Sequence, residues 1–304
     1  MAQAQHTPTL TSLEEAVTVL FCLIDDAYAA LNPKGRRSHE SLKRLSDSEV
    51  ITLALLQQLR GVESERSFLR DAQRFFSHLF PGVAGMHPRR MHPSSLHRRV
   101  RKLRRFLEPL RRCVLPELIG DPESLLIDST LLAVLHPRQV KHSAVGFEGA
   151  AWAKWGSFAL YGVKLHMLCA TNRIPVSYEL TAANVADVVL VRELLSEAGV
   201  LNEGGFARRL FGDLAYRGGA LAEELAQRGT LLATEKAHRR PPLRQQVEVC
   251  FAVLKGVFGM DGTLAKTLTG LVTRIAAKVT AYTYGCYVNR TLGRAQGHIK
   301  GLWA

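Results

Sequence analysis

Cysteine is scarce in this chain of 304 residues, and no two cysteines have the C-x-x-C spacing that metal and redox sites use. The five are far apart: Cys22, Cys113, Cys169, Cys250 and Cys286. Their odd number and wide separation predict reduced core residues in a cytoplasmic protein.

Long apolar runs are also missing, because no stretch reaches the roughly eighteen residues needed to cross a membrane. The first ten residues, MAQAQHTPTL, lack the charged and apolar segments of a secretion signal. We therefore expect neither membrane insertion nor secretion. No H-E-x-x-H, Walker A or G-x-S-x-G segment occurs, so no such motif competes for a catalytic role.

Acidic residues are too few to balance the basic ones. The chain has 27 Asp and Glu against 40 Lys and Arg, which gives a formal net charge of +13. Such an excess predicts attraction to a polyanion, and nucleic acid is the first candidate. Charge by itself is weak support, because many ribosomal and membrane-surface proteins are equally basic.

The N-terminal part of the chain, from about residue 10 to 118, has a helical pattern. Ser12 with Glu15, and Ser46 with Glu49, have the spacing of capping boxes at helix starts. A third helix is predicted to bury one apolar stripe: Phe68, Ala72, Phe75 and Leu79. Residues 81–93 are rich in Gly and Pro and predict a loop.

A strongly cationic helix is predicted next, capped by Ser94 or Ser95. One side carries an apolar stripe: Leu96, Val100, Leu103, Leu107 and Leu110. The other side carries cations: Arg98, Arg99, Arg101, Lys102, Arg104 and Arg105. A solvated surface helix usually mixes in acids, but only Glu108 occurs between Arg89 and Arg112. We therefore favour contact with DNA phosphates, although no turn signature identifies a recognition helix.

From about residue 119 the pattern changes to strands and helices in alternation. Strands are predicted at 124–129, 161–169, 174–180, 209–213 and 230–234, and helices at 219–227, 243–258 and 268–289. A further helix, capped by Asn184 or Asp187, is predicted to end at about Ala198. This order predicts an α/β fold with a ribonuclease-H-like mixed sheet and flanking helices, preceded by an all-α N-terminal domain. The predicted domains are residues 1–118 for DNA binding and residues 119–304 for catalysis, the latter including the C-terminal helices.

Two aspartates are expected where hydrophobic strands end. Asp128 follows the run Leu125 to Ile127, and Asp213 follows Leu210 to Gly212. A carboxylate at the end of a strand can face a ligand, although Asp is also common there as a turn or cap residue. For either aspartate alone, a role as a turn or cap residue would be the better interpretation than a role in binding a ligand.

Glu248 lies in a predicted helix beside two cations. At about 100° per residue, Glu248 lies about 40° and Lys255 about 20° from Arg244, so all three share one face. An apolar stripe lies beside that face: Val247, Phe251, Leu254 and Phe258. The alternative is an ordinary ion pair between Arg244 and Glu248, worth a few tenths of a kcal/mol, roughly 0.3.

Phosphodiester chemistry gives three carboxylates a reason to meet. Two Mg²⁺ or Mn²⁺ ions about 4 Å apart can assist both the attacking and the leaving oxygen in an in-line displacement. Such hard cations prefer carboxylate oxygens and keep several waters, so three acidic ligands suffice. Asp128, Asp213 and Glu248 are therefore the candidate catalytic and metal-binding residues.

Five ordered segments resemble bacterial insertion-sequence transposases of the DDE class, in particular the insertion sequence 982 family. They are 127–130 (IDST), 161–166 (YGVKLH), 180–187 (LTAANVAD), 212–218 (GDLAYRG) and 244–255 (RQQVEVCFAVLK). The resemblance covers about residues 120 to 290. It implies a nucleoid-associated enzyme that binds double-stranded element ends, cuts them and joins them to target DNA, as a homodimer or higher synaptic assembly.

The resemblance also implies residue roles. Asp128, Asp213 and Glu248 take the metal-ligand places, while Arg244 and Lys255 would contact DNA phosphates. Relatives often carry a Tyr-x2-Arg-x3-Glu-x6-Lys signature, and here Pro241 stands at the tyrosine place. Two rival functions are a nuclease that only hydrolyses DNA and a DNA-binding protein without catalysis, such as a domesticated transposase.

A few further residues have two interpretations. Lys164 and His166 share one face of a strand and could touch DNA or the metal site, or simply pack across strands. Tyr216 could stack on a nucleotide or lie in the core. The connection from 136 to 158 carries Lys141, Trp152, Lys154 and Trp155, which suits distorted DNA ends or a plain surface hairpin.

Overall fold

The computed structural model describes residues 12–33, 43–83, 92–119, 123–142, 147–155, 157–199, 208–234 and 243–303. The chain divides into two compact units, one of Met1–Val114 with Ala276–Ala304 and the other of Leu115–Ile275. None of the described helices is long and apolar enough to span a membrane.

The first unit is built from helices, and its described residues contain no strand. In chain order it contains α1 (Leu13–Leu31), α2 (Asp47–Leu59), α3 (Glu65–Phe75), α4 (Pro93–Leu103), the start of α5 (Leu107–Ile119), the end of α10 (Leu268–Thr291) and α11 (Lys300–Trp303). Its core includes Leu20 and Ile24 of α1 and Leu53, Leu55 and Leu56 of α2, all fully buried.

The predicted helix starts are confirmed for α1 and α2. The Ser46 side chain accepts from the Glu49 amide and the Glu49 carboxylate accepts from the Ser46 amide, so this capping box is complete. At α1 the Ser12 side chain accepts from the Glu15 amide. These bonds satisfy amide groups that would otherwise lack partners in the first helical turn.

Two helix predictions in this unit were wrong in detail. Helix α3 ends at Phe75, whose side chain is 50% exposed, because the chain turns away before the predicted stripe reaches Leu79. Helix α4 starts earlier than expected, with His92 as its cap and Pro93 at its first position. Proline suits that position because its missing N–H would have no helical partner there.

Residues 276–304 belong to the first unit by their contacts. In α10 the Thr280 hydroxyl donates to the Leu107 carbonyl at 3.3 Å, and the Tyr284 hydroxyl donates to the Leu110 carbonyl at 3.2 Å. Gly285 packs so closely on Leu59 that an added Cβ would lie 2.8 Å from its Cδ2. The predicted division at 118/119 lies near the unit boundary at 114/115, but it assigned these C-terminal helices to the other domain.

The second unit contains a six-stranded mixed sheet. Its strands are β1 (Ser124–Ala133), β2 (Ala151–Trp155), β3 (Phe158–Ala170), β4 (Pro175–Ala182), β5 (Arg209–Gly212) and β6 (Leu231–Thr234). The order is β2-β3-β1-β5-β6, and β4 also pairs with β3. Strand β3 is antiparallel to its neighbours, whereas β1, β5 and β6 run parallel to one another.

Helices cover both faces of this sheet. They are α6 (Pro137–His142), α7 (Val191–Gly199), α8 (Gly219–Gln227) and α9 (Gln245–Gly256). The start of α10 belongs to the same unit. Helix α9 buries Val247 and Leu254 and places Cys250 Sγ 3.9 Å from Met167 Sδ on β3. On the opposite face the Ser177 hydroxyl of β4 donates to the Leu194 carbonyl of α7 at 2.8 Å.

The cysteine prediction held only in part. Cys169, Cys250 and Cys286 are buried, as expected for core residues, whereas Cys22 and Cys113 are exposed. Cys22 lies on an outward position of α1, and its helical neighbours rather than its own side chain face the core. All five are free thiols.

Candidate active site

Asp128 lies in the middle of β1 rather than at its end, so the predicted strand end was wrong. The strand continues to Ala133 because β3 pairs with it along residues 125–133. Pairing with β5, however, covers only Ser124 to Leu126. Asp128 therefore lies just past the parallel part of the sheet.

Asp213 follows β5 directly, as predicted. Its Oδ1 accepts from the Ala215 amide at 2.9 Å and so caps the short turn Leu214–Tyr216. Gly212 allows this geometry, because an added Cβ would lie 2.9 Å from Tyr216 Cδ2 and 3.0 Å from Ile127 Cγ2.

Glu248 is half-buried in the first turn of α9, the helix that packs on β1 and β3. Successive residues of a strand face opposite sides of a sheet, and Asp128 pairs with Met167. Met167 contacts Cys250 of α9. Asp128 therefore lies on the sheet face that α9 covers, the face from which Glu248 can approach it.

The three carboxylates act on one another electrostatically. Burial comes first, and with the negative charges of Asp213 and Glu248 it raises the pKa of Asp128 to about 6. The Ser129 amide, which donates to Asp128 Oδ1 at 2.8 Å, and the Arg244 guanidinium oppose this increase. The structure thus brings the two strand aspartates and the helix glutamate into one electrostatic cluster.

Arg244 stands at the start of the helix that carries Glu248. It is the N-cap residue of α9, it is 5% exposed, and its Nη2 lies 3.9 Å from Asp128 Oδ2. The guanidinium therefore faces the acidic cluster instead of open solvent. In this position it offsets part of the negative charge of Asp128.

Lys255 occupies the other end of the same helix face. Its Nζ donates to the Leu131 carbonyl of β1 at 3.2 Å and lies 3.4 Å from Asp261 Oδ1. Its side chain remains 29% exposed. Val247 and Leu254 are buried, as expected for the apolar stripe predicted beside the face of Glu248 and Lys255.

Lys164 and His166 lie on the opposite face of the sheet. His166 pairs with Ser129 and Lys164 with Leu131, so both point away from the face of Asp128. His166 is fully buried, and its Nε2 lies 2.8 Å from the Thr181 hydroxyl. Their expected contact with DNA finds no support in this geometry, which agrees with the alternative of cross-strand packing.

An aspartate organises this second face. Asp187 Oδ1 accepts from Lys164 Nζ at 3.0 Å and from the Ser129 hydroxyl at 2.7 Å. It also lies 3.8 Å from His166 Nδ1. Burial, partly offset by Asp187, lowers the pKa of His166 to about 4, so the imidazole is neutral near pH 7.

Tyr216 is buried, as its core alternative predicted. Its hydroxyl has no hydrogen-bond partner of good geometry among the described residues. Burial and the nearby charges of Asp187, Asp128 and Asp213 strongly raise the pKa of this phenol. The ring packs against Gly212 and so fixes the end of β5.

The donor chemistry of the acidic cluster fits a divalent cation. Within the described ranges, no three His, Cys, Asp or Glu side chains already stand close enough together to share one ion. Asp128, Asp213 and Glu248 nevertheless offer only hard carboxylate oxygens, the ligands that Mg²⁺ and Mn²⁺ prefer. Their mutual repulsion at Asp128 is the interaction that a divalent cation would relieve.

In the first unit the predicted cations fall into two groups. Five are exposed on α4 and the turn after it: Arg98, Arg101, Lys102, Arg104 and Arg105. Arg99 instead bonds to Asp47 Oδ1 at 2.6 Å and to the Leu45 carbonyl at 2.7 Å. Arg99 is therefore a structural contact between helices of this unit.

The connection before β3 contains a hairpin. Strand β2 pairs with residues 158–162 of β3, in agreement with the surface-hairpin alternative. Trp152 is 40% exposed and packs on Tyr161, with ring centroids 5.4 Å apart. Lys154 is exposed, whereas the side chains of Lys141 and Trp155 lie outside the described residues.

These features define a class of protein, the DDE transposases, in which acidic residues of an α/β sheet form the active site. Residues 119–284, more than half of the chain, match the family described as the transposase DDE domain. The chain belongs to this family and is a DDE transposase.

Similarity to solved structures is weak. A cryo-EM structure of the piggyBac transposase synaptic complex with hairpin DNA has a TM-score of 0.39 and 13% identity, over 99% of this chain and 81% of that one. A likeness at this level supports no conclusion of its own. Among curated proteins, no sequence matched the chain.

Sequence reasoning did not assign functions to Ser129 and Asp187. The sequence predicts Asp187 only as one of two possible helix caps, yet Ala186 holds that position and the Asp187 side chain bonds back to the sheet. One sequence feature could have indicated this role. Lys164 and His166 are two residues apart and share one strand face, and a lysine on a buried face requires an acidic partner.

Proposed function

We propose that this transposase binds the terminal inverted repeats of an insertion sequence and catalyses metal-dependent strand cleavage followed by strand transfer. The observation that carries the proposal is the electrostatic coupling of Asp128 with Asp213 and Glu248 on one face of the sheet. The resemblance of segments 127–130, 212–218 and 244–255 to the insertion sequence 982 family supports a bacterial element as the substrate.

The strand order supports a ribonuclease-H-like catalytic domain. Strands β4, β3, β1, β5 and β6 are neighbours in that order, with β3 antiparallel to β1 and with β5 and β6 parallel to it. Helix α9, which carries Glu248, packs on β1 and β3. Residues 1–118 would form the helical DNA-binding domain that precedes it.

Asp128, Asp213 and Glu248 would hold Mg²⁺ or Mn²⁺, with two ions in the complete site. When bound, the ions would supply Lewis acidity to the attacking and the leaving oxygen of the phosphodiester. Arg244 stabilises the ionised form of Asp128 before any ligand arrives, because its guanidinium lies 3.9 Å from that carboxylate. Lys255 would meet DNA through the exposed part of its side chain.

The reaction would proceed by two displacements at phosphorus. Water attacks the phosphodiester at the element end, its oxygen joins the phosphate, and the 3′ oxygen leaves as a hydroxyl. That hydroxyl then attacks a target phosphodiester, forms the new bond and releases a target 3′ hydroxyl. No covalent bond to the protein is needed.

Double-stranded DNA would be held by the five exposed cations of α4 and the following turn. Each phosphate contact releases counterions, so binding should weaken steeply with salt. Two element ends must be joined in one reaction, and we therefore propose a homodimer or a higher synaptic assembly.

The first experiment replaces Asp213 with Asn and measures end cleavage and DNA binding separately. We expect cleavage to be lost while the dissociation constant for an element end stays within about twofold, because the amide cannot serve as an anionic ligand. Glu223→Gln, an exposed carboxylate on α8, is the matched control and should cleave normally. Full cleavage by Asp213→Asn with unchanged binding would refute the proposed site.

A second experiment separates transfer from hydrolysis. The protein is incubated with Mg²⁺, a pre-cut element end and a supercoiled target. Joined products support the transposase reaction, whereas cut but unjoined DNA identifies a hydrolysis-only nuclease. Binding without either product identifies a domesticated, non-catalytic DNA-binding protein.

A further inference from the structure

We propose that Asp187 is a positioning residue of the active site, which acts through Ser129 from the opposite face of the sheet. This inference rests on the proposed role of Asp128 as a metal ligand. Asp187 itself would touch neither DNA nor metal, because it lies on the sheet face away from Asp128.

The contacts of Asp187 converge on one oxygen. Its Oδ1 accepts from the Ser129 hydroxyl at 2.7 Å and from Lys164 Nζ at 3.0 Å. The Asp187 side chain is 21% exposed and that of Lys164 is 14% exposed, so water screens this pair little. A charge-assisted bond of this length in a partly buried place fixes the position of Ser129.

Ser129 connects Asp187 to the acidic cluster of Asp128, Asp213 and Glu248. It directly follows Asp128 in β1, and its amide donates to Asp128 Oδ1 at 2.8 Å. The hydroxyl of Ser129 is thus held from one face while its amide orients a carboxylate on the other. Rotation of this peptide would move both contacts together, because one residue carries both donors.

Lys164 holds the Asp187 side chain in place. Its Nζ also donates to the Val185 carbonyl at 2.7 Å, in the turn that leads from β4 towards Asp187. The lysine therefore ties Asp187 and the preceding turn to β3. Since β3 pairs with β1 next to Asp128, Asp187 is connected through Lys164 and β3 to the strand that carries Asp128.

Residues that orient metal ligands typically change metal affinity or activity by about 10 to 100-fold when they are removed. We therefore expect Asp187→Ala and Ser129→Ala each to lower the cleavage rate at saturating DNA by about 10 to 100-fold. The affinity for Mn²⁺, measured from the electron paramagnetic resonance signal of free Mn²⁺, should fall by about tenfold. The dissociation constant for an element end should stay within about twofold, because neither residue faces DNA.

Two further variants test whether the effect passes through Ser129. The double variant Ser129→Ala with Asp187→Ala should be no slower than the slower single variant, because both remove the same contact. Asp187→Asn keeps an oxygen that can accept from the Ser129 hydroxyl, and it should restore cleavage to within about threefold of the original rate.

Controls separate positioning from folding. Glu193→Ala removes an exposed carboxylate of α7 and should leave the cleavage rate and Mn²⁺ affinity unchanged. All assays are run well below the melting temperature of the least stable variant, measured by circular dichroism. A loss of rate that only follows the folded fraction, or normal Mn²⁺ affinity in Asp187→Ala, would overturn the inference.

The failure of this inference differs from the failure of the proposed function. If Asp213→Asn still cleaves DNA, the acidic site is wrong whatever Asp187 does. If Asp213→Asn is inactive while Asp187→Ala is fully active, only the positioning role is wrong.

Discussion

The two faces of the sheet differ in how far the charge of an aspartate is compensated by its neighbours. Asp187 has a lysine ammonium at 3.0 Å and a serine hydroxyl at 2.7 Å. Asp128 has one backbone amide at 2.8 Å, a guanidinium at 3.9 Å and the negative charges of Asp213 and Glu248 nearby. One face therefore satisfies its carboxylate, whereas the other leaves a carboxylate under repulsion.

This difference shows how the sheet combines stability with function. A carboxylate whose charge is fully compensated has little affinity left for a cation, whereas one beside like charges gains from binding it. Active sites commonly keep such unfavourable arrangements at a cost in stability. Variants on each face should therefore affect different measured quantities.

The largest difference should be in catalysis. Asp128→Asn should lower the rate of end cleavage by about 10³-fold or more, because metal assistance is worth several kcal/mol and about 1.4 kcal/mol is a factor of ten. Gel-based cleavage of a labelled element end measures this rate. Glu123→Gln, an exposed carboxylate just before β1, should cleave normally, and an equal loss there would remove the contrast between the faces.

The next effect should be on stability and concerns the sheet face that carries Asp187. Lys164→Met removes the ammonium that bonds Asp187 and the Val185 carbonyl, and it should lower the free energy of unfolding by about 3 kcal/mol. Urea denaturation followed by circular dichroism measures the change. The exposed Lys154→Met on β2 is the matched control and should alter it by less than about 0.5 kcal/mol. Equal effects of the two variants would mean that Asp187 does not depend on Lys164.

A smaller effect should arise where the end of β5 packs on the sheet. Gly212→Ala would place a Cβ within 3.0 Å of both Tyr216 and Ile127, so the variant should be less stable by about 2 kcal/mol. It should also slow cleavage, because Asp213 is the next residue. Gly219→Ala, whose Cβ would meet nothing within 4 Å, is the control for thermal unfolding. A Gly212→Ala protein with unchanged melting temperature would contradict this packing.

The smallest effect should be the pH dependence of stability. The folded pKa of Asp128, about 6, lies above its ordinary value of 3.8, so the folded state binds more protons between these values. The free energy of unfolding should therefore fall as pH rises from about 4 to 6, by an amount on the order of 1 kcal/mol from this residue. In EDTA, Asp128→Asn should remove this fall and be more stable than the original protein at pH 8. A variant with the same pH profile as the original would show that the pKa of Asp128 is not raised in the folded state.

Much of the second unit could be predicted from sequence. Helix α8 has the predicted bounds, and β5 and β6 differ from their predictions by a single terminal residue, because short apolar runs between turn residues leave few alternatives. The face shared by Glu248 and Lys255 followed from helical periodicity alone.

The remaining features depend on partners that are distant in sequence. The length of β1 is set by pairing with β3, which no pattern in residues 124–129 reveals. The burial of Arg244 depends on Asp128, more than a hundred residues away. The role of Asp187 could not be predicted because three strand residues had to be placed on one face before their acidic partner was evident.

Strand register gives this active site an unusual sensitivity to length. Asp128 and Ser129 are adjacent in β1 and face opposite sides, so a shift of one residue relative to β3 would exchange their surroundings. The deletion of a single residue upstream of Asp128 within β1 would then turn the aspartate to the opposite face of the sheet and place Ser129 on the face that α9 covers. Such a chain could keep its sheet and its composition and still lose its chemistry, so natural variation in β1 should consist of replacements rather than insertions or deletions.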